Sequence, residues 1–280
     1  MKIKIISFCI LLTSIIVSCK KENLTDGLNQ NNSNNSNNSY VAILNKVLTD
    51  DQSTYEYQYN DSNLVTQEKS KFDFTSHHYN NKGQLATTDF YGNDDVLSSV
   101  QLVFQTAINK TDWITPVNGK KSGTITYEYD TNGKLIKTTN LTPSSAVIEH
   151  SDFIYNSSNK ISKQTMYWGD IATGYIDYSY DGSGNLVKEM LYNLPSTGDA
   201  ELITTTTYAF DSNLNPFKYT SKLMIPGIST NANNIIKETY TIHVGANQGA
   251  DKVQITETTY EYNGMGYPIS KNGNITYIYK

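Results

Sequence analysis

The sequence predicts an all-β fold: an up-and-down antiparallel meander of hairpin repeats that forms a wide barrel or a strongly curved sheet. Three observations carry this reading. From Tyr55 onward one unit recurs, an aromatic-x-aromatic triplet followed by Asp or Asn, three turn residues, one polar residue and an apolar residue. Intervening segments alternate at period two, as in Leu202, Thr204, Thr206, Tyr208 and Phe210, or Val253 and Ile255 leading to Tyr260 and Tyr262. Convincing helical patterns are missing, while Thr and Tyr, both strand-favouring, are abundant. Val41 to Leu48 is compatible with either a short helix or a leading strand.

The clearest repeats are Tyr127-Glu-Tyr129-Asp130-Thr-Asn-Gly133-Lys-Leu135-Ile-Lys137 and Tyr178-Ser-Tyr180-Asp181-Gly-Ser-Gly184-Asn-Leu186-Val-Lys188. A third is Phe153-Ile-Tyr155-Asn156-Ser-Ser-Asn159-Lys-Ile161-Ser-Lys163, and weaker copies centre on Tyr59, Tyr79, Tyr91, Phe210 and Tyr262. Pro216 and Pro268 replace the apolar residue in the last two, and the chain ends on Tyr277-Ile-Tyr279, a copy cut at its turn. Asp130 and Asp181 can accept backbone hydrogen bonds across a type I turn, and Gly133 and Gly184 sit where φ must turn positive. Asn159 tolerates the same conformation. A type I turn followed by a left-handed residue is a three-residue hairpin loop.

Counting outward from Asp130 opposite Lys134 places Tyr129 against Leu135 and Tyr127 against Lys137. The same count sets Tyr180 against Leu186, Tyr178 against Lys188 and Phe153 against Lys163, with lysine stems over aromatic rings. Chained together, the hairpins make roughly 14 to 18 strands, each beside its sequence neighbour. An open sheet that large curls or closes.

The N-terminus reads as a bacterial lipoprotein signal peptide over residues 1–18. Lys2 and Lys4 give the positive start, Ile5 to Ile16 is almost wholly apolar, and Ser18 puts a small residue before Cys19. The apolar run is short for a membrane span, which needs ~20 residues. A lipid-attached Cys19 carrying diacylglycerol and an N-acyl chain would anchor the chain stably without a transmembrane helix, since each buried methylene contributes ~0.8 kcal/mol. Residues 19–39, rich in Asn and Ser, read as the lipidated cysteine and a disordered tether. As a coil it spans roughly 25 Å and stretches to ~65 Å. Residues 40–280 are then a single β-repeat domain.

All 22 basic residues are lysines. Beyond the signal, 20 lysines face 27 acids for a net charge of −7. Without a positive field or a guanidinium, nucleic acid is excluded as a partner. Both cysteines lie at or before position 19, so the folded domain has no thiol for disulfides, thiolate metal sites or nucleophilic catalysis.

The Tyr-Asp-x-x-Gly-x-Leu units resemble the tyrosine-aspartate repeats of bacterial surface and toxin-shell proteins, over most of residues 55–280. Joined to the lipobox, they more closely resemble a family of Bacteroidetes lipoproteins of unknown function described as having a porin-like β fold. The arginine that commonly follows the turn glycine in toxin-shell repeats is missing, and 280 residues are too few to enclose a toxin. This resemblance implies architecture and no activity, while the resemblance to lipoprotein signals, with Lys20 rather than Asp after the cysteine, implies outer-membrane localisation with the periplasmic or extracellular face left open.

Candidate chemistry is sparse. Adjacent His77 and His78 point to opposite faces of a strand and cannot simply share a metal, and His150 and His243 are distant in sequence. Asp181-Gly-Ser-Gly lacks the oxygen ligands of a calcium loop and reads as turn chemistry. Asp50-Asp51 and Asp94-Asp95 lie in polar, turn-like stretches rather than as a glycosidase pair. No metal and no cofactor beyond the lipid on Cys19 is expected. Amphipathic rings remain: Trp113 and Trp168 in or beside polar loops, with Tyr127 and Tyr178, are the candidate ligand-binding aromatics. The alternative is that tyrosines cover a wide sheet and tryptophans plug its ends.

The leading functional expectation is a non-enzymatic, lipid-anchored envelope protein, a monomer. Its partners are the membrane through the anchor and a glycan or envelope protein, or it serves as a structural surface module. A glycan-directed hydrolase and a membrane-embedded β-barrel pore are the alternatives.

Overall fold

The structure is a computed structural model that describes residues 42–70, 73–92, 120–218, 225–245 and 249–280. Residues 41–280 form a compact unit of their own. The strands are β1 (Leu44–Thr49), β2 (Gln52–Tyr59), β3 (Val65–Ser70), β4 (Asp73–Tyr79), β5 (Leu85–Gly92) and β6 (Lys120–Tyr129). They continue as β7 (Leu135–Leu141), β8 (Val147–Tyr155), β9 (Ile161–Trp168), β10 (Ile171–Tyr180), β11 (Leu186–Asn193) and β12 (Glu201–Phe210). The last five are β13 (Ile235–Ile242), β14 (Lys252–Glu257), β15 (Tyr260–Tyr262), β16 (Pro268–Lys271) and β17 (Ile275–Tyr279). The leading segment is thus a strand, and the helix among the described residues is one 3-10 turn at Ile228–Thr230.

All 17 strands belong to one antiparallel sheet, the meander expected from the repeat. Its curvature brings first and last strands together: β1 pairs with β2 on one edge and with β17 on the other. Pairing runs from β14 back through β1 to β15 and is interrupted only between β14 and β15, so the ladder is not a completed barrel. These two strands follow one another in sequence. Between them Thr258 N–H donates to the Ile236 carbonyl of β13 at 2.9 Å, and Asn272 N–H donates to the Thr259 carbonyl at 2.9 Å.

The turns form as the sequence dictates. Asp130 Oδ1 accepts from the N–H groups of Asn132 and Lys134 at 2.9 and 2.8 Å, and the Gly133 N–H closes onto the Asp130 carbonyl at 3.0 Å. Asn60, Asn80, Asn156, Asp181 and Asn263 repeat the arrangement. The fourth turn residue is left-handed each time, with φ of 81° at Gly133, 86° at Gly184 and 60° at Asn159. Glycine or asparagine is selected there because other side chains clash in that region.

The register departs from the simple count one step past each turn. Tyr129 faces Leu135 and Tyr180 faces Leu186, as expected. A β-bulge then shifts the ladder, so Tyr127 faces Thr138 rather than Lys137, Tyr178 faces Glu189 rather than Lys188, and Phe153 faces Gln164 rather than Lys163. An extra residue on the second strand absorbs the twist that a tight turn imposes. Lys137 therefore faces Glu128. Lysine does lie over rings, but mainly between repeats: Lys134 Nζ sits 4.9 Å from the Tyr155 ring centre, and Lys160 Nζ 5.5 Å from that of Tyr180.

The bulge also explains the core. Leu135 and Thr138, three apart, are both buried. Leu44, Val65, Leu85, Leu135, Ile161 and Leu186 occupy the same repeat position and are all nearly inaccessible. At the next seam, the junction between successive hairpins, a tyrosine hydroxyl donates to the carbonyl of that apolar residue. Tyr79 reaches Val65 at 2.7 Å, Tyr129 Leu85 at 2.8 Å, Tyr155 Leu135 at 3.0 Å and Tyr180 Ile161 at 2.7 Å. Tyr59 reaches Leu44, Tyr260 reaches Ile235 at 3.2 Å and Tyr279 reaches Pro268 at 2.6 Å.

The copy cut at the C-terminus is completed by the N-terminal strand. Tyr279 faces Leu44, and a register shift follows between Leu44 and Lys46, the same bulge that other hairpins make after their turn. Leu44, Val47, Tyr57, Val65 and Tyr277 form one core cluster there, and Leu135, Phe153, Ile161, Tyr178 and Leu186 form another. Two described residues of the β12–β13 connection lie against the core-bearing face. Phe217 packs on the first cluster, edge-on to Tyr57 and Tyr277, and Ile225 packs on the second.

Candidate ligand-binding site

The copy centred on Phe210 departs from the others. Phe210 pairs with Ile235, not with a residue near Pro216, and residues 211–234 make an excursion where other repeats make a short turn. Phe210 also lacks the hydroxyl that every other seam supplies from tyrosine. Among the described residues no tyrosine reaches the Leu186 carbonyl, and the β11–β12 seam holds a cavity of about 400 Å³. Phe210 and Tyr208 line it beside Asp181, Ser183, Asn185, Asp211, Ser212 and Asn233.

Asparagines of the excursion knit its floor. Asn185 Oδ1 accepts from the N–H groups of Ala232 and Asn233 at 2.8 and 3.0 Å, and its Nδ2 donates to Asp181 Oδ2 and Asn233 Oδ1, each at 3.0 Å. Asn231 Oδ1 accepts the Leu186 N–H at 2.8 Å, and Asn233 Nδ2 donates to the Asn213 carbonyl at 2.9 Å. Among the described residues no buried side-chain polar atom lacks a partner, so the lattice is rigid rather than half-satisfied.

The two carboxylates are committed to this frame. Asp181 accepts two turn N–H groups and the Asn185 amide, and these bonds hold its carboxyl below the usual range even against burial. Asp211 accepts from the N–H groups of Asn213 and Asn234, the Asn234 amide and the Tyr262 hydroxyl. Ser183 and Ser212 lie exposed at the mouth. The wall is thus an aromatic ring flanked by fixed amides, carboxylates and hydroxyls.

Of the residues expected from sequence, Tyr178 is 7% exposed, belongs to the second core cluster and donates to Gln164 Oε1 at 2.8 Å. Tyr127 packs on the same cluster, with its hydroxyl 3.1 Å from Thr88 Oγ1. Trp168 is 63% exposed and faces Ile171, 71% exposed, across the β9–β10 turn, whose Gly169 is left-handed. Trp113 and Cys19 lie outside the described residues, as do the signal peptide, the tether and Asp94-Asp95. None of the described candidates lines the seam. Its sequence signal is the single Phe for Tyr at 210 together with the Asn-rich run 231–234.

The histidines occupy separate places. His77 is buried between Thr88 Oγ1 at 3.1 Å and Glu68 Oε1 at 3.3 Å, while His78 turns to the other face, 3.5 Å from Asp89. His150 stacks on Tyr167 with ring centres 4.5 Å apart, and His243 sits between Thr205 at 2.8 Å and Asp251 at 2.7 Å. Among the described residues no group of three or more His, Cys, Asp or Glu could hold a metal. Glu189 faces the core side, and burial pushes its carboxyl up although the Tyr208 hydroxyl donates to it at 2.7 Å.

No family model and no curated protein matches the chain. Solved structures similar to it include a porin-like protein from Bacteroides uniformis ATCC 8492, 13% identical over 85% of this chain and 96% of that one, TM-score 0.37. Another is a porin-like protein from Bacteroides vulgatus ATCC 8482, 10% identical over 85% of this chain and 99% of that one, TM-score 0.40. The Photorhabdus luminescens Tc holotoxin pore is 14% identical over 74% of this chain, TM-score 0.29, and the match spans only 10% of the toxin chain. These likenesses bring neither activity nor ligand to this chain.

Proposed function

We propose that this chain is a lipid-anchored envelope protein whose β domain binds a saccharide at the β11–β12 seam without turning it over. The observation that carries the binding reading is the seam cavity, where Phe210 offers an apolar ring beside fixed amide, carboxylate and hydroxyl groups. Sugars present the same alternation of C–H faces and hydroxyl edges. Binding without turnover is supported by Asp181 and Asp211, whose oxygens are engaged by turn N–H groups and neighbouring side chains. A pair of acids poised for glycoside hydrolysis needs one carboxyl free to give up a proton.

Anchoring by an acylated Cys19 rests on the lipobox. A domain held in water rather than in the bilayer is supported by the face opposite the core. Lys46–Glu56, Lys121–Asp89, Lys163–Asp177 and Lys237–Glu257 pair across strands there at 2.6, 2.7, 3.1 and 3.2 Å. A membrane barrel presents an apolar band on that face.

Glycan-array screening of residues 41–280, followed by calorimetric titration of any hit, tests the binding site. Ser183→Trp and Ser212→Trp, both at exposed positions, fill the mouth and are expected to abolish binding with the fold intact. Binding unaffected by either substitution places the ligand elsewhere, and release of reducing ends from the bound saccharide refutes binding without turnover. Mass spectrometry of the membrane-extracted protein tests the anchor: acyl mass on Cys19 is expected, and an unmodified mature N-terminus refutes it.

A further inference from the structure

Hydrogen-bonding direction alternates along a strand, so residues two apart address the same neighbour. The Thr258 N–H donates to Ile236 of β13, which turns the even positions of β14 toward β13. Thr259 addresses the other edge, where its N–H donates to Asn272 Oδ1 at 2.9 Å and its carbonyl accepts the Asn272 N–H. Val253, Ile255 and Glu257 therefore aim their N–H and C=O groups along the edge that Asn272 occupies one step further on. β16 has only four residues and the chain turns away after Lys271, so among the described residues no strand pairs with that edge of β14.

This edge carries few of the devices that keep edges from pairing. Exposed edges are normally protected by proline, lysine or a bulge. β14 pairs with β13 through six residues without a register shift, and on its outer face Val253 is 59% and Ile255 56% exposed. Lys252 sits at the strand's end, on the opposite face.

We propose that β14 pairs antiparallel with β14 of a second copy of this chain, about a two-fold axis through Ile255. Only odd positions can form hydrogen-bonded pairs, and centring on Ile255 uses all three. Ile255 then faces its own copy, Val253 faces Glu257 and Lys252 faces Thr258, so no like charges oppose. The strand is its own complement in this register, and an isologous contact consumes both edges and closes. The interface is small, which makes the dimer a weak and concentration-dependent one.

Sedimentation velocity on residues 41–280 over a concentration series is expected to show a monomer–dimer equilibrium. Val253→Lys with Ile255→Lys, at exposed sites, is expected to weaken it at least about tenfold, with circular dichroism unchanged. Because this unit has no cysteine, Ile255→Cys supplies a unique thiol that should cross-link to its copy under mild oxidation, well above Gln254→Cys. A monomer at every concentration overturns the proposal, as does a dimer indifferent to the lysines or equal cross-linking at 254 and 255. A monomer that captures an added extended peptide at this edge also overturns it, assigning the edge to a foreign strand.

Discussion

Tyr180→Phe isolates one seam hydroxyl. The ring stays, so burial in the second core cluster and the Lys160 contact at 5.5 Å are unchanged to first order. What disappears is the 2.7 Å bond to the Ile161 carbonyl, whose residue is 3% exposed. A neutral hydrogen bond contributes about 1 kcal/mol net, and a buried acceptor left without a partner costs about 1–3 kcal/mol. A loss of about 1–2 kcal/mol follows, which for a domain of this size lowers Tm by roughly 2–8 °C. Urea melts followed by circular dichroism should show a lower midpoint with the slope unchanged. Phe210→Tyr is the reciprocal change: it supplies the missing hydroxyl beside Leu186, and is expected to raise the midpoint by a comparable amount while narrowing the seam cavity. A Tyr180→Phe protein as stable as the parent would show that this seam hydroxyl contributes nothing to stability.

Tyr277→Ala should cost about 3–5 kcal/mol, as for other buried aromatic truncations, because it empties the cluster that holds β17 against β1; thermal melting checks it, and a loss under 1 kcal/mol would refute closure through the termini. Burial raises the hydroxyls of Tyr129 and Tyr260 to about 12 and those of Tyr57, Tyr178 and Tyr279 further. Folded values above the unfolded value of about 10 mean that this stability is complete below pH ~10 and is lost as pH rises through the folded values. Tyrosinate absorbance should therefore rise together with loss of β circular dichroism above pH ~10, rather than by independent titration in an intact fold. Glu189 has the same sign in the acid range: its raised folded value favours the protonated form, so at neutral pH the buried charge is destabilising. Glu189→Gln should raise Tm at pH 7, with the gain shrinking as pH falls through the raised folded value and gone below the unfolded value of ~4, and a pH-independent effect would refute this assignment. At Gly174 an added Cβ would lie 2.7 Å from the Tyr192 carbonyl oxygen, so Gly174→Ala is expected to destabilise by about 1–3 kcal/mol in urea melts.

The hairpins were legible because their causes are local. An Asp or Asn, a residue that tolerates positive φ three positions later and an apolar residue two beyond form a complete turn within six positions, and strand alternation needs only the neighbours two away. The bulge left a signal in the adjacent apolar pairs Leu135-Ile136 and Leu186-Val187, which a strict period of two cannot place on one face. A count that ignores the bulge sets lysines opposite Tyr127 and Tyr178 and leaves the excess of tyrosine without a structural role. In the structure most of these rings face the core side, and seven of their hydroxyls close the seams between hairpins.

What the sequence by itself determined is the unit: its turn, its alternation, its antiparallel order and the all-β class. Only the tertiary structure decided how the units join. That Leu44 completes the copy begun at Tyr279 depends on the curvature accumulated over all the strands between them. The cavity beside Phe210 lies where the β11–β12 seam meets the connection that returns the chain at Ile235. That no described strand pairs with the outer edge of β14 follows from β16 being only four residues long. Each of these is a contact between residues far apart in the chain, set by sheet twist and strand length together, and neither quantity is written in any one repeat.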